Sequence, residues 1–454
     1  MNKKKKTALF SIEIAARELL PKCLLTLETA KLGMRVYIGS FRALKQLDGK
    51  VDSCIFFHKS TWKRNAARLR KTIGATFVFL DEEMGMALPE SQTREYLDAR
   101  FVNVSAENYP HVFSIGEQHK QHMDTFENFK GVQNYPVGWP RIDLWREKFN
   151  ELYSDEIQRI RNKEGEFYLL VSSFGAISES SYQESIDSHI KYYSSDTAVI
   201  DFKYDEFKSC LKLIKDLSPK LQPHEKIVIR PHTSESLEEW EILTVDYANV
   251  VIRHQGDVTP WLLASTGTIQ FGSTVAVQAA LMGVPSVKLA TMQNIPGLTD
   301  TISYEVLPAF NSSDDIYQYL QLNQGSGAIE HKQKTINQLK EIVASLEGEL
   351  ASTKIAHILN ELEIAPQPPI RFNHLRRFYL WLKERINYLN YLKSKLLRKE
   401  RGRLKRSKFE KIPNGLTAKE IGDHLEKLAY ILGDDPKRIH CRQVAHNLVE
   451  IEYN

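Results

Sequence analysis

Short apolar runs alternate with amphipathic stretches of helical period, and the alternation occurs twice along the chain. This constrains the fold most, because parallel strands need a crossover segment between them and helices supply it. In the first series, residues 7–12, 35–39, 54–57, 76–80, 101–104 and 131–137 read as strands. Residues 15–32 read as a helix, with Leu19, Leu20, Cys23, Leu24 and Leu27 on one face and Gly33 closing it. A basic helix around 62–73 follows the third strand. In the second series, residues 167–171, 226–229, 250–252, 268–271 and 286–289 read as strands and 207–217 as a helix. The predicted class is α/β, with two Rossmann-like, doubly wound parallel-sheet domains. The first is read as 1–150 and the second as 151–330, with the hinge between Arg141 and Glu166. Connecting helices are expected over 331–365, and a basic helical tail over 366–454, its end (417–454) forming two short helices.

Composition narrows the function classes. At 42% hydrophobic and 26% charged, the 454 residues read as a soluble globular chain. No stretch approaches the ~20 apolar residues of a membrane span. The opening MNKKKKTALF has a basic run but no apolar core, so no secretory signal is read. Cys23, Cys54, Cys210 and Cys441 are far apart, which argues against a zinc ribbon or a disulfide framework and fits the cytoplasm. There is no GxxxxGK loop, no GxGxxG and no HExxH. His119 and His122 lack an evident third ligand, so neither a metal nor a cofactor is expected.

Ligands of open parallel sheets bind at the carboxyl ends of the strands. The fourth strand runs into Asp81, Glu82 and Glu83. Crowded carboxylates raise one pKa and give a general base; an acidic helix start or solvated loop is the plainer alternative. In the second domain a strand ends in Arg230-Pro231-His232. Proline stops the strand, and the Arg230 and His232 side chains offer donors to a phosphate; a salt-bridged arginine beside a surface histidine is the alternative. Gly272-Ser273-Thr274 opens a helix, which suits a phosphate or a simple cap. Ser172 and Ser173 follow the second domain's first strand and would line the same site. Glu13 and Arg17, after the first strand of the chain, are placed on the acceptor side.

Four segments carry a likeness to a known family: Glu13-Ile14-Ala15-Ala16-Arg17-Glu18-Leu19, Leu80-Asp81-Glu82-Glu83, Gly138-Trp139-Pro140-Arg141-Ile142-Asp143-Leu144, and the stretch from Arg253 through Trp261 to Gly283-Val284-Pro285. Together they resemble the bacterial surface carbohydrate biosynthesis protein family, which is similar to GT-B glycosyltransferases. The resemblance implies a GT-B fold with a cleft between two domains. It implies a metal-independent transferase of capsule or lipopolysaccharide (O-antigen) biosynthesis, acting on a glycan or lipid-linked glycan. Asp81, Glu82 and Glu83 would be catalytic. Ser172, Ser173, Arg230, His232, Gly272, Ser273, Thr274 and Gln278 would bind the donor, with Arg141 on the acceptor side. The order of acidic, His-Pro and Ser/Thr motifs is similar to that of bacterial sialyltransferases. The Arg-Pro-His turn is similar to that of CDP-glycerol-dependent polymerases. Both use cytidine nucleotides, so the implied donor is a CMP-activated ulosonic acid, Kdo-like or sialic-acid-like. The chain departs from these patterns at Met84, which precedes Gly85 where glycine is usual, at Thr233 after His232, and at Gln278 where a glutamate is common. A CDP-glycerol-type glycerophosphotransferase, a nucleotide-sugar epimerase and an inactive nucleotide-binding scaffold subunit are the rival readings.

Residues 371–411 hold 15 Lys/Arg against three Glu. Phe372, Leu375, Phe378, Leu382, Ile386, Leu389, Leu392 and Leu396 recur there at helical spacing. Tyr379, Trp381, Tyr388 and Tyr391 interleave with Arg376, Arg377, Lys383 and Arg385. Such a helix suits peripheral contact with the inner face of the cytoplasmic membrane, or packing on the protein body with a solvated basic face. Nucleic acid is not expected, because no recognisable module is present.

Overall fold

The computed structural model describes residues 5–44, 47, 54–59, 75–82, 90–175, 177–192, 196–232, 234–254, 256–290, 295, 298–323, 326–364, ten positions between 375 and 393, 411–412 and 415–454. The chain divides into two compact units. One comprises residues 1–83, 95–144 and 341–454, the other 84–94 and 145–340.

The first unit holds an eight-stranded sheet in the order β13-β14-β2-β1-β3-β4-β5-β6. Its strands are β1 Thr7–Ile12, β2 Arg35–Ser40, β3 Cys54–His58, β4 Ala75–Leu80, β5 His111–Ser114, β6 Gln133–Pro136, β13 Ile439–Ala445 and β14 Leu448–Tyr453. β1 to β6 pair in parallel. The helix Ala15–Lys31 connects β1 to β2, as the apolar face of that segment requires. The strand expected at 101–104 is not one. Phe101 ends the helix Glu90–Phe101 and sets its ring edge-on to Phe79 at 4.8 Å, so its apolar character serves a helix end. The strand begins after Pro110 instead, at His111. The helix expected around 62–73 lies outside the described residues.

The chain's end also differs from expectation. Residues 418–432 form one helix, packed on Ala15–Lys31, but β13 and β14 form an antiparallel hairpin that extends the sheet beside β2. The two-residue turn places Asn447 in the left-handed region at φ 57°, where asparagine is tolerated. The Asn447 amide oxygen accepts from Leu416 N–H at 2.7 Å, which ties the turn to the helix start. Residues 418–454 are therefore part of the first unit's layered core rather than a separate tail.

The connecting helices expected over 331–365 are observed as Ser326–Leu339 and Ala351–Glu361. Between them the chain crosses two glycines. A Cβ on Gly116 would stand 2.1 Å from the Ile342 carbonyl oxygen, and one on Gly138 2.4 Å from that of Ala344. Asp143, fully buried, accepts from the backbone N–H groups of Ala351 and Ser352 at 2.8 Å each and so holds the start of the second helix. Gly138 and Asp143 of the Gly-x-Pro-Arg-x-Asp-Leu segment are thus explained by packing. Asp143→Ala should lower unfolding stability by ~2 kcal/mol, because it strips a cap and orphans two buried donors. Chemical denaturation checks this, and Asp143→Asn, which keeps one acceptor, should recover part of the loss.

The second unit holds a six-stranded, wholly parallel sheet in the order β12-β11-β10-β7-β8-β9. The strands are β7 Glu166–Val171, β8 Glu225–Arg230, β9 Val250–Ile252, β10 Gly267–Gln270, β11 Ser286–Leu289 and β12 Ala309–Phe310. The α/β class and the two Rossmann-like units follow the sequence reading. In each sheet the strand order reverses about a central strand: at β1, flanked by β2 and β3, and at β7, flanked by β8 and β10. Those reversals open a crevice beyond the carboxyl ends of the strands.

Candidate functional site

In the second unit, β7 and β8 end side by side, with Val171 opposite Arg230. Two loops therefore leave the sheet together. They carry Ser172 and Ser173 on one side, and Arg230 and His232 on the other. Ser172 donates to Glu235 Oε2 at 2.5 Å, and Phe174 N–H to Oε1 at 2.9 Å. Trp240 Nε1 donates to Oε2 at 3.0 Å. Glu235 thus bolts the two loops together, while its own N–H closes the turn on the His232 carbonyl at 2.9 Å. Burial pushes the Glu235 carboxyl up, against the pull of these donors.

The turn engages His232 through Nδ1, which Ser234 N–H approaches at 3.3 Å and the Ser234 hydroxyl at 2.7 Å. The imidazole is exposed at the strand-end edge. Arg230 is 8% exposed; its Nη2 donates to the Gly256 carbonyl at 3.0 Å and its guanidinium stacks on Trp261 at 5.2 Å. Burial lowers its pKa to about 10, with nearby Asp257 acting in the opposite direction.

Gly272 lies at φ 67°, and a Cβ there would stand 2.1 Å from the Tyr304 ring, so this glycine makes room for an aromatic residue. Ser273 accepts from Val275 N–H at 3.3 Å, and Thr274 makes no side-chain cap. Gln278 corrects an expectation. It is 1% exposed and donates to Thr259 Oγ1 at 2.8 Å, which in turn donates to Asp257 at 2.9 Å. A glutamine turned inward to another helix is not in place to hold a ribose. Ser172 likewise spends its hydroxyl on Glu235. His232, Ser173, Ser273 and Thr274 keep polar groups at least partly exposed on this edge.

The strand-end edge of the first unit is an ion-pair network. Asp81 accepts from Tyr96 at 2.6 Å and from both arms of Arg100, at 2.6 and 3.3 Å. Glu82 pairs with Lys22, which is 2% exposed. Of these carboxylates, the two described, Asp81 and Glu82, each face a cation. Glu82 Oε2 is buried and without a hydrogen-bond partner among the described residues. Glu83, Met84 and Gly85 lie outside the described residues. Glu13 is held by Lys59 at 2.9 Å and Lys411 at 2.5 Å. Burial raises its pKa, but those two hydrogen bonds and charges outweigh it and hold the carboxyl at about 2. Arg17 reaches Glu18 at 3.3 Å, and Arg141 stacks on Trp139 at 5.7 Å.

Four residues of these edges have no role in the sequence analysis, Glu18 standing there only within the Glu13–Leu19 segment. Glu18 accepts from Glu13 N–H at 2.7 Å and from Lys59 at 2.6 Å. Its signal was a glutamate at the start of a helix otherwise turned inward. Lys22 stood among leucines on that same helix. Glu235 followed the Arg-Pro-His turn by three residues. Lys288 sits in β11, half-buried, and donates to the Tyr304 carbonyl; a lysine inside a short apolar parallel strand is its own signal. Glu166, His224 and Glu225 could also meet at a metal ion among the described residues, at the opposite edge of the sheet. There Glu225 is already taken by Tyr168 and Tyr317.

No protein-family model matches the chain, and no curated protein matches it. Similar solved backbones include the wall teichoic acid polymerase TagF, 13% identical over 79% of this chain and 88% of that one, with a TM-score of 0.45. The UDP-GlcNAc 2-epimerase of Methanocaldococcus jannaschii is 9% identical over 78% of this chain and 99% of that one, with a TM-score of 0.44. S. aureus MnaA with UDP is 10% identical over 82% of this chain and 100% of that one, with a TM-score of 0.44. At this distance the likeness is one of backbone alone.

Proposed function

We propose that the chain is a glycosyltransferase of bacterial surface polysaccharide biosynthesis, with the donor nucleotide at the strand-end edge of its second unit and a CMP-activated ulosonic acid as donor. The observation that carries this is the bolted pair of loops after β7 and β8, which holds the exposed His232 imidazole near the buried Arg230 guanidinium. Two such groups suit a phosphate whose negative charge grows as the sugar departs. Ser173, Ser273 and Thr274 add neutral donors on the same edge. The acceptor hydroxyl oxygen forms the new bond to the anomeric carbon. The bond from that carbon to the phosphate oxygen breaks, and its electron pair leaves with CMP. Glu82 or Glu83 is the proposed base that takes the hydroxyl proton.

Thermal shift with CMP, CDP, UDP and GDP tests the donor, because a ligand of the folded state raises the melting temperature. Stabilisation by cytidine nucleotides is expected, and indifference to all four would sink the assignment. Transfer from CMP-sugars compared with CDP-glycerol then separates a sugar from a glycerophosphate donor. His232→Ala should cut transfer by ~100-fold, through loss of a donor to the leaving phosphate, while the exposed site leaves the fold intact. Steady-state kinetics beside a melting curve reads both.

A further inference from the structure

Ten described positions between 375 and 393 carry a pattern separate from the donor site. They are helical and exposed. Exposure is 58% for Tyr379, 40% for Leu382, 48% for Ile386 and 62% for Leu389, and Leu375 and Phe378 are exposed at 77% and 59%. At ~100° per residue these six side chains fall within an arc of about 100°. They make one apolar stripe rather than a scatter. Lys383 and Arg385 flank the stripe on its two sides, and Lys393 continues its line. Lys383 also lies over the Tyr379 ring at 5.8 Å.

A helix that serves only to pack on its own protein buries such a stripe, as Ala418–Leu432 does with Ile421, Leu425 and Leu428. The neighbouring charge says what meets the exposed one. Between 371 and 411, 15 Lys/Arg stand against three Glu. An apolar stripe alone would suit many surfaces, but one rimmed by excess cation matches an acyl layer beneath anionic headgroups. No helix among the described residues is long and apolar enough to cross a membrane. We infer that the helical positions described between 375 and 393 lie in the surface of an anionic bilayer, with the Tyr379–Leu382–Ile386–Leu389 stripe in the acyl boundary and Lys383, Arg385 and Lys393 at headgroup level. Membrane contact on this account is independent of the donor and the reaction, so it stands or falls apart from the proposed transferase activity.

The test is flotation of the full-length protein with vesicles of phosphatidylcholine alone or mixed with phosphatidylglycerol. The wild type should float with the mixed vesicles, stay in the dense fraction with the neutral ones, and be released by ~0.5 M salt, at which screening is nearly complete. A Leu382→Glu, Ile386→Glu, Leu389→Glu triple variant should lose flotation and keep the wild-type melting curve, since all three side chains are exposed. Lys383→Glu, Arg385→Glu and Lys393→Glu together should weaken partitioning by at least ~100-fold, as about five-fold per basic residue predicts. Failure of the wild type to float with anionic vesicles would overturn the inference. So would flotation unchanged in the triple variant, self-association that the stripe variant abolishes without any vesicle binding, or RNA binding in place of lipid binding.

Discussion

Lys22→Met should destabilise the first unit by ~3–5 kcal/mol, the usual effect of removing one partner from a buried ion pair. Lys22 is 2% exposed and Glu82 9%, so neither charge has water to fall back on. The lysine also rests on the face of Phe57, 4.3 Å from its centroid, and methionine replaces that contact without the charge. What remains is a buried carboxylate with no cation. The double variant Lys22→Met, Glu82→Leu should recover most of the loss, because two apolar groups leave nothing unpaired. Urea denaturation of the four proteins closes the cycle, and simple additivity would show that the pair is not coupled. The same cycle separates stability from chemistry. Glu82→Gln keeps an acceptor for Lys22 but not its counter-charge, so it should lose stability as well; compared at a temperature below its own melting transition, it should lose at least ~100-fold in transfer where Glu82 acts as the base. Near-normal transfer would leave Glu82 as a purely structural partner of Lys22.

The two doubly wound sheets were legible because parallel strands buried on both faces write continuous apolar runs. Residues 54–57, 167–171 and 286–289 are read so and observed so. Misses occurred where a run served another purpose or the strand was half-exposed. Phe101 and Val104 are apolar because a helix end and its turn pack inward. β13 alternates with solvent, and its one strong cue, Asn447 in a two-residue turn, is shared with many loops. The sites divide along similar lines. Strand ends were correctly located, since topology fixes them. The roles of side chains there depend on partners far away in sequence. Asp81 meets Arg100, Glu82 meets Lys22, and Gln278 meets Thr259, and no local motif announces such pairings. Glu235 was the least visible, because two of its three partners come from a loop some sixty residues earlier.

Glu235→Ala should weaken nucleotide binding by ~100-fold, on the scale of a loop displaced by about 1 Å. Three donors converge on this one carboxylate, from Ser172, Phe174 and Trp240. Alanine leaves all three unanswered, so the loops after β7 and β8 lose their common anchor and His232 loses its fixed place. Glu235→Gln is the milder case. Its oxygen can keep Phe174 N–H while its NH₂ donates to the Ser172 hydroxyl, but Trp240 N–H then faces a donor. An intermediate loss is expected, with the order glutamate, glutamine, alanine read by nucleotide-induced thermal shift. The pH dependence supplies a second readout. Burial pushes the Glu235 carboxyl above its ordinary value, against the pull of neutral donors. The folded state therefore binds this proton more readily than the unfolded chain. Its contribution to stability is complete below the ordinary glutamate pKa and is lost as pH rises through the raised one. Glutamine at 235 cannot titrate, so the difference in stability between wild type and Glu235→Gln should shift in favour of the wild type as pH falls through that window. A difference that stays flat across it would mean that Glu235 keeps an ordinary pKa and that its environment is wetter than the three converging donors indicate.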